Sequence, residues 1–251
     1  MRDITLAELL KAGVHFGHKS SRWSPKMKPY IYGHRNNIHI FDLEKTKDKL
    51  KDALNFARDI ASKGGAVLFV GTKKQAKEAV KNAAVSCGMP YVVERWLGGT
   101  FTNFKTVQKS MKKLEKLQAL KTSDEISAYT KKERLLMDRE MEKLQRLFAG
   151  LMQLKTMPNA IFVFSADHDR IAVAEGVKVK IPVIGIVDSN TDPVGINYVI
   201  PGNDDSVQAV SLYASLMAEA INEGKNTAAA VPVAEEKEKE KEPQTTEAQK
   251  V

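Results

Sequence analysis

The stretch Ala66-Val67-Leu68-Phe69-Val70-Gly71-Thr72-Lys73-Lys74-Gln75 decides the fold. Its first five residues are a continuous apolar run of strand length. A strand that is apolar on both sides is covered on both sides, as in a parallel sheet between two helical layers. Gly71 ends the run, and a helix is predicted from Lys73 to about Ser86. Immediately upstream, Gly64-Gly65 closes a long amphipathic helix over Asp42 to Lys63, where Leu43, Thr46, Leu50, Leu54, Ala57 and Ile60 recur at helical spacing.

The alternation continues outward. Downstream strands are predicted at Tyr91-Val92-Val93, Ala160 to Phe164, Pro182 to Val187 and Tyr198 to Ile200. Helices follow from about His168 and from Ser206 to about Asn222. Strands alternating with helices imply an α/β fold: a parallel sheet flanked by helices, doubly wound and flavodoxin-like, with right-handed crossovers. Upstream, Ile38 to Phe41 is a short strand, and Thr5 with Glu8 makes a capping box for a first helix carrying Leu6, Leu9 and Leu10. Between them, Val14 to Arg35 has no sustained period and reads as an ordered loop.

An insertion interrupts the alternation. In Lys131 to Leu154, Met137, Met141, Leu144, Phe148 and Leu151 step by four, three, four, three, a heptad seam. In Phe104 to Leu120, Phe104, Val107, Met111 and Leu114 step likewise. With a polar link from Lys121 to Thr130, the expectation is an inserted antiparallel coiled-coil hairpin projecting from the sheet domain; the alternative is that the seams are ordinary core faces. The expected organisation is an α/β domain from 1–103 and 155–224, the hairpin at 104–154, and a disordered Glu/Lys-rich tail at 225–251, in which a transient helix from Glu-Lys pairing is the alternative.

The formal charge is +8. The tail from Lys225 carries five Lys and six Glu, so the excess lies in the body of the chain. A basic body suits RNA, DNA or an acidic membrane surface, so charge alone does not choose. The single cysteine, Cys87, excludes an internal disulfide and a cysteine metal cluster, and a reducing compartment is the natural reading. Met1 to Lys11 lacks the apolar core of a signal peptide, and no apolar stretch approaches the roughly 20 residues that span a bilayer. Cytosol or an organelle matrix is expected, with no membrane partner.

Three constellations point to anions. Between Met1 and Arg35, seven basic residues (Arg2, Lys11, Lys19, Arg22, Lys26, Lys28, Arg35) face only Asp3 and Glu8. Trp23, Tyr30 and Tyr32 interleave with them. Cations neutralise phosphates and aromatic planes stack on exposed bases, so this segment is expected to touch RNA; the alternative is that the aromatics plug the loop onto the core and the charges are merely solvated. Second, Thr72, Lys73 and Lys74 sit where a buried strand turns into a helix, a place where free N–H groups and the helix dipole favour a phosphate. It is neither a Walker loop nor a dinucleotide fingerprint. Third, Arg95 and Trp96 precede Gly98-Gly99 at the entry to the hairpin and could stack on nucleic acid; Lys105 and Lys109 follow on the first hairpin helix.

A separate signal is acidic. Asp188 lies just beyond one strand and Asp204 and Asp205 just beyond the next, so they share the carboxyl edge of the sheet. With His18 they could hold a divalent cation; the alternative is that Asp204, Asp205 and Ser206 cap the last helix while Asp188 and Asp192 shape a turn. No G-x-S-x-G elbow or H-E-x-x-H pair occurs, so no catalytic residue and no small-molecule substrate are expected.

Several runs carry a family resemblance. They are Leu10 to His18 with Trp23-Ser24-Pro25-Lys26-Met27, Gly33 to Leu43, Gly71 to Ala76, Arg95 to Thr100, Pro182 to Asn190 and Tyr198 to Ser206. Together they resemble the bacterial small-subunit ribosomal protein S-two family over roughly Met1 to Glu223. The resemblance implies a structural, non-enzymatic component of the small ribosomal subunit in the cytoplasm. It would bind small-subunit ribosomal RNA near the head–body junction, beside neighbouring proteins, and help recruit ribosomal protein S-one, which captures messenger RNA. No cofactor is required by this reading, although the resemblance implies that some members hold zinc or magnesium at positions matching His18, Asp188, Asp204 and Asp205. Phe41 and Phe101 depart from the family, standing where smaller aliphatics are common, and so does the Glu/Lys tail. Two other classes remain open: a nucleotide- or metal-dependent enzyme on a doubly wound sheet, opposed by the missing phosphate fingerprint, and a protein-interaction adaptor working through the hairpin.

Overall fold

The computed structural model describes residues 2–123 and 129–239, the stretch from 228 onward by backbone alone. Its centre is a five-stranded, wholly parallel sheet formed by β4 (Val67–Val70), β5 (Tyr91–Val92), β6 (Ala160–Val163), β7 (Val183–Val187) and β8 (Tyr198–Pro201) in the order β5-β4-β6-β7-β8. This is the doubly wound order, with its reversal between β4 and β6. The continuous apolar runs are buried on both sides because each face has its own core. Val67, Phe69, Phe162, Phe164, Ile184, Ile186 and Ile200 pack against α1 (Leu6–Lys11), α2 (Leu43–Ser62), α3 (Lys77–Ser86) and α7 (Val207–Lys239). Leu68, Val70, Ile161, Val163, Val183 and Val187 pack on the other face with α6 (Arg170–Val179) and with the bases of α4 (Phe104–Thr122) and α5 (Lys131–Phe148).

The N-terminal segment differs from expectation. Val14 to Arg35 is not loop throughout: β1 (Phe16–Lys19) and β2 (Ile31–Arg35) flank β3 (Ile38–Phe41) in a second, antiparallel sheet of order β1-β3-β2. Short strands with irregular register, Phe16↔Ile40 then Lys19↔Ile38, leave no period of two to read. The β2–β3 turn is made by Asn36 and Asn37, both at positive φ (51° and 61°), a conformation asparagine tolerates better than most residues and that suits a tight hairpin.

Two helices also shift. Residues 73–76 form a turn, so α3 opens at Lys77 rather than Lys73. α7 is helical to Lys239, well past Asn222. Residues 240–251 of the tail, and 124–128 of the polar link, lie outside the described residues.

α4 and α5 run antiparallel, bridged by ion pairs between Lys113 and Glu140 and between Lys121 and Asp138 (2.8 Å). Val107, Met111 and Leu114 from α4, with Phe148, Leu151 and Leu154 from the end of α5 and beyond, belong to the core of the second sheet face. The lower part of the seam is therefore ordinary core, and only the distal part stands on its own pairing.

Candidate nucleic-acid interface and the carboxylate cluster

The antiparallel sheet sits over the carboxyl edge of the parallel one. Backbone N–H groups of His18 and Ser24 donate to Ser189 Oγ (2.8 Å) and Ser189 O (2.7 Å), just after β7. Asn203, after β8, donates its N–H to Val14 O (3.1 Å) and its amide to Gly13 O (3.1 Å). Gly17 makes the close approach possible: a Cβ there would lie 2.9 Å from Ser189 Oγ and 3.3 Å from His39 O. Doubly wound sheets take ligands in the crevice at this edge. Here the chain's own N-terminal segment covers the ends of β7 and β8.

On the outer side of that segment Lys19, Arg22, Lys28 and Arg35 are exposed, and Tyr32 is 82% exposed. Lys26 is exposed but pairs with Asp192 at 2.7 Å. Trp23 and Tyr30 are half-buried. The Trp23 ring leans on His39, with centroids 5.2 Å apart, and Tyr30 packs against the core. The aromatic set thus divides: Tyr32 is an outward platform, while Trp23 and Tyr30 mainly hold the segment down.

The expected anion site after β4 is engaged in part from within the chain. The Gly71 N–H donates to Val92 O (3.0 Å), and Thr72 gives its N–H and hydroxyl to Asp169 (3.2 and 2.6 Å). Lys73 turns inward, with Nζ 2.7 Å from Asp204 Oδ1 and 2.8 Å from Asp205 Oδ1. Burial works against its charge, but the two carboxylates outweigh that and hold its pKa above the ordinary lysine value. Thr72 and Lys73, expected at a phosphate, are thus engaged by carboxylates from distant loops. Lys74 alone of the three remains exposed.

Trp96, expected to stack on nucleic acid, is also engaged within the chain. It is 6% exposed, stands edge-on to Phe101 with ring centroids 5.0 Å apart, and its indole Nε1 donates to Glu175 Oε1 (3.3 Å). Glu175, buried in α6, also accepts from the backbone N–H groups of Gly99 (2.7 Å), Phe101 (2.9 Å) and Thr102 (3.2 Å). Burial pushes this carboxyl up, yet the donated hydrogen bonds prevail and hold it below the usual carboxylate range. Sequence reading missed Glu175; a lone acid midway along an otherwise apolar stretch of helix was the available signal. Arg95, Lys105 and Lys109 remain exposed.

The four acidic-cluster residues do converge. His18 Nδ1 lies 3.0 Å from Asp188 Oδ1, and its Nε2 lies 3.3 Å from Asp205 Oδ2. The Asp188 contact raises the His18 pKa, against the opposing effect of burial. Asp204 Oδ2 accepts from Ser165 Oγ at 2.5 Å. Asp188 Oδ1 accepts from the N–H and hydroxyl of Ser189 at 2.5 and 3.2 Å. Of the three residues in the capping alternative, Ser206 caps α7, its Oγ accepting from Ala209 N (3.3 Å), while Asn203 Oδ1 shapes the turn before it by accepting from Asp205 N and Ser206 N (2.8 and 3.2 Å). As arranged, these residues do not fit a metal ion. Among the described residues no three His, Cys, Asp or Glu side chains are disposed to hold one. The ammonium of Lys73 sits between Asp204 and Asp205.

The Cys87 thiol is pushed up to about 11 by burial, the opposite of what a nucleophile requires. No helix among the described residues is long and apolar enough to cross a membrane.

Known proteins supply the context. Residues 9–224 match the family model described as Ribosomal protein S2. The chain belongs to the ribosomal protein S2 family. It is similar to a protein named small ribosomal subunit protein uS2 from Idiomarina loihiensis, 48% identical over 225 residues, covering 90% of this chain and 93% of the relative. It is also similar to the protein of that name from Dichelobacter nodosus, 47% identical over 229 residues, covering 91% and 86%. The S2 family consists of structural ribosomal proteins rather than enzymes.

Proposed function

We propose that this chain is a structural constituent of the small ribosomal subunit that binds small-subunit ribosomal RNA near the head–body junction. The observation that carries the reading is the family match along residues 9–224, at nearly half identity to proteins named for that subunit. The RNA contacts are assigned to Lys19, Arg22, Lys28, Tyr32 and Arg35 on the antiparallel sheet, to Lys74 and Arg95, and to Lys105 and Lys109 on α4, all exposed. Lys26 joins them through its exposed side chain, shared with Asp192. Such contacts are largely phosphate contacts, sequence-independent and weakened by salt. Residues 1–103 and 155–224 form the RNA-binding body in this reading, 104–154 an arm, and 225–251 a tail.

The reading extends to neighbouring proteins of the subunit and to recruitment of ribosomal protein S-one, for which the family resemblance is the support. Gradient sedimentation of a lysate carrying the tagged chain tests the first part: the chain is expected in the small-subunit peak, and its absence there overturns the assignment. Subunits assembled with and without the chain test the second, with retention of S-one on the gradient as the readout.

A further inference from the structure

We propose that Lys73 is the resident cation of the carboxylate cluster, its ammonium taking the place that a divalent metal ion would occupy between Asp204 and Asp205. The cluster gathers three carboxylates at the edge of the sheet, two of them nearly inaccessible: Asp188 is 1% exposed and Asp204 2%. Buried carboxylates require a counter-charge and donors on their oxygens. Every one of these oxygens has such a partner within the chain. Asp204 is held by Lys73 Nζ (2.7 Å) and Ser165 Oγ (2.5 Å). Asp205 is held by Lys73 Nζ (2.8 Å) and His18 Nε2 (3.3 Å). Asp188 meets His18 Nδ1 (3.0 Å) and Ser189 on one oxygen, and the Asp204 N–H (3.5 Å) on the other.

Both His18 ring nitrogens face carboxylate oxygens, so neither lone pair is turned to a free coordination position. A zinc or magnesium ion would have to expel the ammonium of Lys73, whose side chain is only 19% exposed, or share the carboxylates with it at repulsive distance. The consequence is a seam between the N-terminal sheet and the strand ends that is complete without metal. Lys73 leaves β4, Asp188 leaves β7, Asp204 and Asp205 leave β8, and His18 comes from β1, so one ammonium and one imidazole tie four separate parts of the chain together.

The test uses the full-length chain. Elemental analysis after dialysis against a chelator is expected to find no stoichiometric zinc or magnesium. The thermal midpoint is expected to be the same in chelator, in excess magnesium and in excess zinc. Lys73→Met keeps the aliphatic stem and removes the charge. It is expected to melt roughly 5–10 °C lower and to regain part of that loss in magnesium or zinc, which it alone binds. Lys73→Arg is expected to stay metal-free and near the wild-type midpoint. Stoichiometric metal in the dialysed wild type, a midpoint lowered by chelator, or a Lys73→Met variant as stable as wild type overturns the proposal. If Lys73→Met does not fold, the wild-type metal content and the chelator comparison decide alone.

Discussion

Glu175 fixes the entry to α4 by collecting three backbone N–H groups and an indole on one buried carboxylate. Replacing it by Gln keeps the shape but turns an amide N–H₂ toward those donors. Glu175→Gln is expected to cost about 2–4 kcal/mol, measured by denaturant unfolding, with Trp96 fluorescence shifted as its indole loses a partner. The carboxyl lies below its ordinary value in the folded chain, so its contribution is complete above the unfolded value and fades as pH falls through the folded one. The acid-side loss of thermal stability is therefore expected to be shallower in Glu175→Gln than in wild type, and identical pH profiles would contradict that. Gly17→Ala tests the seam from the other side. The added Cβ meets Ser189 and the His39 carbonyl, and about 1–3 kcal/mol of stability should disappear through overpacking.

At the scale of elements, the periodic segments were readable and the short strands were not. The stride of α2 and the apolar runs of β4, β6 and β7 stand out because each carries one uninterrupted pattern. β1 and β2 do not, since four or five residues of mixed Gly, His, Lys and Arg with irregular register give no alternation. Asn36-Asn37 was the local clue to the hairpin. α4 and α5 were recognised as a pair, but their bases proved to be core. Shortening the pair to its buried part, by replacing 117–139 with a tight turn, is expected to leave a cooperative melt within a few degrees of wild type. Removing 104–154 entirely is expected to abolish it, because Leu68, Val70, Ile161 and Val163 would be stripped of the apolar cover supplied by Leu114, Phe148 and Leu151. Circular dichroism melts of the two deletions distinguish these outcomes.

For the whole molecule the relevant quantity is the basic outer surface of the N-terminal sheet. The combined change Lys19→Glu, Arg22→Glu, Lys28→Glu and Arg35→Glu alters exposed side chains only. The proposed function expects normal folding, at least tenfold weaker RNA binding at moderate salt, and a shallower dependence of the binding constant on salt, by about one unit of slope for each phosphate no longer neutralised. Unchanged affinity and slope would move the interface elsewhere, with Lys105 and Lys109 on α4 the next residues to reverse.

The sequence by itself determined the layered α/β architecture, the strand positions in the parallel sheet, the presence of a helical pair between β5 and β6, and family membership through motifs many residues long. Those properties rest on local pattern: hydrophobic period, strand length, caps and turns. Only the tertiary structure decided what Thr72, Lys73 and Trp96 do. By residue type each suited a phosphate or a base, yet each is claimed by an acid far along the chain: Asp169 97 positions from Thr72, Asp204 131 from Lys73, and Glu175 79 from Trp96. Whether a cation faces solvent or a buried carboxylate depends on which strand ends become neighbours, and that is settled by sheet order rather than by any local pattern.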